Sequence, residues 1–194
     1  MKSEANFLLS IGHSNHQVEK FIHLLIDNDI EGIADIRSVP SSNYSPQFNE
    51  IPLQRELKKH SINYAFFGDS LGGRPKDIDC YDDEGHVFYD RVAVKDFFSQ
   101  GLDELLELSK NCKTAMMCSE GSPNHCHRHL LVSRILLERG IDVAHILPDG
   151  LVVDASDILG EQKPQPTRFG EEEMSWRSIQ SVSPNIQRQT FSDY

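Results

Sequence analysis

"KTAMMCSEGSPNHCHRHLLVSRILLERGIDVAHILPDG" (Lys113–Gly150) is the stretch on which the fold turns. Lys113–Ser119 is a short apolar run that breaks into a polar segment, which reads as a buried strand. His125–Gly140 carries a helical pattern, and Gly140 stands where a helix needs its C-terminal cap. Ile141–Gly150 reads as another strand followed by a turn. Strand, polar loop, helix and strand in that order predict a crossover between parallel strands.

The same alternation extends upstream. Asn6–Gly12 predicts a first strand ending in glycine, and "HQVEKFIHLLIDNDI" follows with Val18, Phe21, Ile22, Leu25 and Ile26 at helical spacing. Ser14 or Asn15 is the expected cap of that helix. Gly32–Ser38 predicts a second strand, "EIPLQRELKKHS" a short amphipathic helix, Ile62–Phe67 a third strand, and "VKDFFSQGLDELLELSK" a further helix. The fold class is therefore a three-layer, Rossmann-like α/β domain with a mostly parallel sheet of about five strands. The domain is expected over residues 1–150, with 151–194 as a C-terminal extension, partly ordered or docked through Trp176 and Phe169. The glycine-containing acidic segment "GDSLGGRPKDIDCYDDEGHVFYDRVAV" reads as a lid or binding loop.

Composition narrows the function classes. A net charge of −11 argues against binding extended nucleic acid, where phosphate neutralisation dominates affinity. No apolar run approaches the roughly 20 residues that span a bilayer. The apolar segment near the N-terminus is shorter than the roughly 7–15 residues of a signal-peptide core, so a cytoplasmic location is expected. Reduced cysteines are expected there. Of Cys80, Cys112, Cys118 and Cys126, the last two lie in a polar cluster.

In an open parallel sheet, ligands collect beyond the carboxyl ends of the strands. Three polar clusters fall at such ends: "IGHSN" (Ile11–Asn15), "DIRSVPSS" (Asp35–Ser42) and "CSEGSPNHCHR" (Cys118–Arg128). These clusters, with neighbouring segments, resemble a known family. "IGHSNHQVEKFIHLL", "ADIRSVPSSNYSPQFN", "INYAFFGDSLGGRP" and "AMMCSEGSPNHCHRHLLVSRILLERGIDVAHI" are similar to the family catalogued as domain of unknown function 488, over roughly Phe7 to Gly150. The resemblance implies an α/β domain with polar motifs at one end and carries no reaction with it. It singles out Gly12, His13, Ser14, Asp35, Arg37, Pro40, Ser41, Gly72, Gly73, Cys118, Glu120, Cys126, His127 and Arg128.

Three chemistries stay open on the residues. Cys118, at a strand end before a helix and near Arg128, has the setting of a thiolate nucleophile. Rhodanese-type sulfurtransferases and cysteine phosphatases share this layout, but Asn124 stands where their loop would carry arginine, and Arg128 comes ten residues after Cys118. Cys118 and Cys126, with Glu120 and His125 or His127, offer ligand types for zinc or iron, though without two tight Cys/His pairs. A small anionic or nucleotide-like ligand would be met by the Gly12–Ser14 loop before a helix and by Arg37 and Arg128. Ser41, Gly72, Gly73, Arg74 and His127 complete the expected binding set, with His13, Asp35 and Glu120 as acid/base candidates.

The leading expectation is an enzyme, a hydrolase or transferase, acting on such a ligand. The alternative is a non-catalytic nucleotide- or partner-binding module. No cofactor and no oligomeric state follow from the residues. Singly, each has a plain structural use: Asp35 and Arg37 as a buried pair, Cys118 as packing, the serines as turn residues.

Overall fold

A computed structural model of the chain describes residues 7–161 and 176–182. Strand β1 (Phe7–Gly12) leads to helix α1 (Val18–Asp27), β2 (Gly32–Asp35), α2 (Glu50–Lys59) and β3 (Asn63–Phe66). Short helices α3 (Gly68–Leu71) and α4 (Tyr89–Ala93) precede the long α5 (Asp96–Asn111) and β4 (Thr114–Cys118). A π-helical turn (Arg128–Ser133) runs into α6 (Arg134–Glu138), followed by β5 (Asp142–Ile146), β6 (Val152–Asp154) and α7 (Ala155–Glu161). No helix among the described residues is long and apolar enough to cross a membrane.

The sheet order is β3-β2-β4-β1-β5-β6. Its first five strands are parallel, and β6 pairs antiparallel with β5. This is the expected mixed architecture with one strand more. Val152–Asp154 is too short to show an alternating pattern in sequence, and it joins the edge through backbone pairing with β5.

Period-two geometry splits the core in two. Leu9, Ile11, Ala115 and Met117 face α1 and α2, packing with Phe21, Leu25, Leu53 and Leu57. Leu8, Met116, Cys118 and Val143 face the opposite layer, with Phe98, Leu102, Leu105 and Leu136. Burial on both faces explains why β1 and β4 read as near-continuous apolar runs.

The connections explain where a site can form. α1 and α2 carry the chain outward to β3, and α5 and α6 carry it back. Right-handed crossovers therefore put the two pairs on opposite faces. β4 lies between β1 and β2, yet its outgoing chain turns to the other face. A crevice opens where neighbouring connections diverge in this way.

Two local expectations differ from the structure. β2 ends at Asp35 rather than Ser38, because the Asp35 carboxylate takes the Arg37 amide at 3.1 Å. The segment between β3 and α5 is folded: Asp77 caps a short turn, Tyr81 bridges Val87, and Cys80, Tyr81, Val87 and Tyr89 are buried. Phe169 lies outside the described residues.

Candidate functional site

The loop after β4 is built around close backbone approaches. His13 and Ser14 donate their amides to the carbonyls of Cys118 and Ser119 at 2.9 and 2.8 Å, so the loops leaving β1 and β4 run side by side. Gly12 is required there: a Cβ on it would meet the Glu120 carbonyl oxygen at 1.7 Å. These amides are thereby spent, and Ser14 and Asn15 do not cap α1, whose first turn follows Gln17 with no side-chain cap. The predicted anion cradle at "GHSN" does not form.

Arg128 is also placed differently from expectation. It is fully buried and donates to the carbonyls of Glu120 and Gly121, the latter at 2.8 Å. It braces the loop from beneath and does not line the pocket. Asp35 is equally committed. Its buried carboxylate receives Arg37 Nε at 2.9 Å, Arg37 Nη2 at 2.6 Å and the hydroxyl of the half-buried Tyr64 at 2.7 Å. His13 stacks on Phe48 at 4.4 Å, donates Nδ1–H to the Ser14 carbonyl, and presents Nε2 to Arg37 Nη1 at 3.2 Å. Burial, with Arg37 beside it, holds His13 down at about 4, so it stays neutral. His13 and Asp35 thus fix the pose of Arg37 instead of facing a ligand.

What does converge is the pair of cysteines with Glu120 and His127. Glu120 Oε2 accepts from Cys118 Sγ at 2.9 Å and from Cys126 Sγ at 3.2 Å. His127 Nδ1 lies 3.7 Å from Cys118 Sγ and 3.9 Å from Cys126 Sγ. On its other side, His127 Nε2 meets the Ile36 carbonyl at 3.0 Å. A carbonyl can only accept, so the proton sits on Nε2 and Nδ1 is turned to the sulfurs. Both sulfurs belong to buried residues.

Charge on the sulfur pair is unequal. Burial resists a thiolate on Cys126, but the Cys118 thiol, His127 and Arg128 outweigh it and bring Cys126 below the usual thiol range. Cys118 goes the other way, raised by its bond to Cys126, by burial and by the Glu120 charge. Burial works against charge on Glu120, yet the two thiols and His127 hold it below the usual carboxylate range. One negative charge on the sulfurs is easy, and a second is opposed.

These groups form part of the lining of a pocket of about 470 Å³. Arg37, Ser41, Ser42, Gly73 and Arg74 border it, with Tyr89 and residues 178–180 and 182. Gly73 packs against His127, and a Cβ there would reach Nδ1 at 2.7 Å. Arg74 is exposed, and its guanidinium makes no hydrogen bond or ion pair among the described residues. Gly12, Ser14 and Gly72 stand behind the pocket; Gly72 packs on Ser38.

The sequence foresaw docking of the tail through Trp176, but not that two segments would line the pocket. Tyr89 lines the pocket from the predicted loop, and residues 176–182 cross over from the far end of the chain. The Trp176 indole donates to the Leu130 carbonyl at 2.6 Å and packs on Tyr89 and Arg134. Ser178 and Val182 then pair with the backbone of Val87 and Gly85. A lone tryptophan in a polar tail was the only signal of this.

A model of the family described as Domain of unknown function DUF488 matches residues 17–135. The chain belongs to that family. The DUF488 match includes β2, β3, β4, both cysteines of the cluster, Glu120 and His127, and it leaves out β1 and β5. No curated protein and no solved structure gives a match.

Proposed function

We propose that the protein is an enzyme acting on a small anionic, nucleotide-sized substrate in the pocket beyond β4. The observation that carries this reading is the juxtaposition of a cation whose guanidinium has no partner among the described residues with a cluster of reactive groups. Arg74 supplies charge for an anion, and Ser41 and Ser42 add hydroxyls to the same lining. Cys118, Glu120, Cys126 and His127 supply thiol, carboxylate and imidazole at the floor. Glu120 is the group placed to move a proton, since its side chain reaches both the sulfurs and the pocket. A volume of about 470 Å³ suits a ligand of this size.

The test is a thermal-shift series with inorganic phosphate, adenosine monophosphate and guanosine monophosphate, on wild type and Arg74→Ala. A concentration-dependent rise in Tm for at least one probe, weakened about 10-fold or more in Arg74→Ala, is the expected result. No shift with any probe, or a shift indifferent to Arg74→Ala, would sink the anion-binding part. Turnover assays on the probes that bind then separate an enzyme from a module that only binds.

A further inference from the structure

We propose that Cys118, Cys126 and His127 are three protein ligands of a zinc(II) centre whose fourth position opens on the pocket beside Glu120. The inference deepens the function proposed above by naming the reacting group, and it rests on distances within the cluster.

A tetrahedral zinc ion bonded to sulfur at about 2.3 Å and to imidazole nitrogen at about 2.0–2.1 Å holds those two donors about 3.6 Å apart. His127 Nδ1 lies 3.7 and 3.9 Å from the two sulfurs. The donor atoms of the three residues all lie within 4.8 Å of one another. The spacing of the three donors therefore suits ligands of one ion. Hydrogen bonding fixes the nitrogen that must ligate: Nε2 is tied to the Ile36 carbonyl, which leaves the Nδ1 lone pair for the ion. Metal-bound histidines generally carry such an outer partner. Gly73 keeps that face of the ring clear, since any Cβ there would press on Nδ1.

Glu120 Oε2 sits against the two sulfurs and is not one of the three donors that lie within 4.8 Å of one another. Its contacts of 2.9 and 3.2 Å to the sulfurs are shorter than ligand-to-ligand spacing and match acceptance of thiol hydrogens. Its side chain also reaches the pocket, so it stands beside the fourth position, which is left to water or substrate. A zinc site with three protein ligands and one exchangeable position is the arrangement that activates water or polarises an oxygen.

Charge favours an ion over a bare nucleophile. Two buried thiols meet beside a carboxylate, and their burial opposes a negative charge on both sulfurs without a cation. A divalent ion removes that opposition, and the thiolate donors select a thiophilic metal over magnesium or calcium. Loading exchanges protons for metal. Each thiol that is protonated when the ion enters gives its proton to solvent as the zinc–sulfur bond forms, and no electrons move.

The experiment uses the full chain, kept reduced, stripped with a chelator and titrated with cobalt(II) and then zinc(II). Expected are about one metal per chain, a thiolate-to-cobalt charge-transfer band that zinc displaces, and release of protons on zinc binding. Cys118→Ser, Cys126→Ser and His127→Ala should each weaken binding about 100-fold or more, whereas Cys80→Ser and Cys112→Ser should not. Should the ligand variants fail to fold, alkylation of the wild type decides: zinc should slow labelling of Cys118 and Cys126, mapped by mass spectrometry, and leave Cys112 unchanged. A cobalt spectrum without a thiolate band, equal affinity in Cys118→Ser and Cys126→Ser, or alkylation rates indifferent to zinc would overturn the proposal. Arg74→Ala should bind zinc like wild type, so failure of the metal centre and failure of the anion site are read separately.

Discussion

Asp35 shows how a residue of catalytic type becomes scaffold. Its carboxylate is wholly buried and satisfied by Arg37 and Tyr64. Tyr64 pays the electrostatic cost: burial, then the adjoining carboxylate, push its phenol well above the ordinary tyrosine range, so it remains a donor. Asp35→Ala would leave the Arg37 guanidinium buried without a counter-charge. A destabilisation of about 3–5 kcal/mol is expected, measured by urea denaturation. Asp35→Asn, which retains shape and some hydrogen bonding, should lose less. Equal stability of Asp35→Ala and wild type would show that the pair is not needed for the fold. Nothing in "ADIRS" distinguishes this role from an acid/base role, because an Asp-x-Arg spacing at a strand end serves both. Arg128 was misjudged for a related reason: sequence places its Cα near the site but does not show that the guanidinium turns inward to two carbonyls.

At the scale of elements, the sheet and its helices were legible because strong apolar patterns mark them. β1, β4 and β5 appear as short buried runs, and α1 and α5 as amphipathic stripes. Elements held by few contacts left no pattern. β6 is three residues long, and the 176–182 segment is anchored chiefly by one indole. Trp176→Ala tests that anchor. It removes the bond to Leu130, the Tyr89 contact and the stacking under Arg134, together worth about 2–3 kcal/mol of docking. In hydrogen exchange, the amides of Ser178 and Val182 should lose protection while those of β4 keep it. Protection unchanged at Ser178 would show that the backbone pairing with residues 85–87 suffices without the indole. The cysteine cluster was legible as composition, since Cys118, Glu120, Cys126 and His127 all fall in one loop. Its geometry was not, because the lock on His127 comes from Ile36 and the clearance from Gly73, far away along the chain.

For the whole molecule, buried neutral histidines set the response to acid. Ser10 Oγ lies 2.5 Å from His145 Nδ1, and His145 Nε2 lies 2.8 Å from His129 Nδ1, in a chain that links β1, β5 and the π-helical turn. Burial, then the facing imidazole and Arg128, bring His145 to about 3; burial and Arg128 bring His129 to about 4. With His13 also at about 4, three groups have folded values below the ordinary histidine value of about 6.5. Between those values the unfolded chain binds more protons, so stability is full above about 6.5 and falls as pH drops toward about 4. Each fully mismatched histidine contributes a slope of about 1.4 kcal/mol per pH unit. His127 opposes them, since Cys126 and Glu120 raise its folded value against the effect of burial. Urea midpoints across pH 7 to 4 should therefore fall steeply, and His145→Asn should flatten the slope by about one group. A slope unaltered in that variant would place the acid sensitivity elsewhere.

The position of β4 between β1 and β2 has a kinetic consequence. Leu9 pairs with Ala115, and Gly32 with Thr114, so the central strand is synthesised long after both neighbours. Until it inserts, those neighbours lack the partner that joins them, and every contact it makes with them closes a long loop. Folding is then paced by one late docking event. Cys118 travels on the strand that docks, so its thiol stays open to oxidants for as long as the nascent sheet waits for its centre.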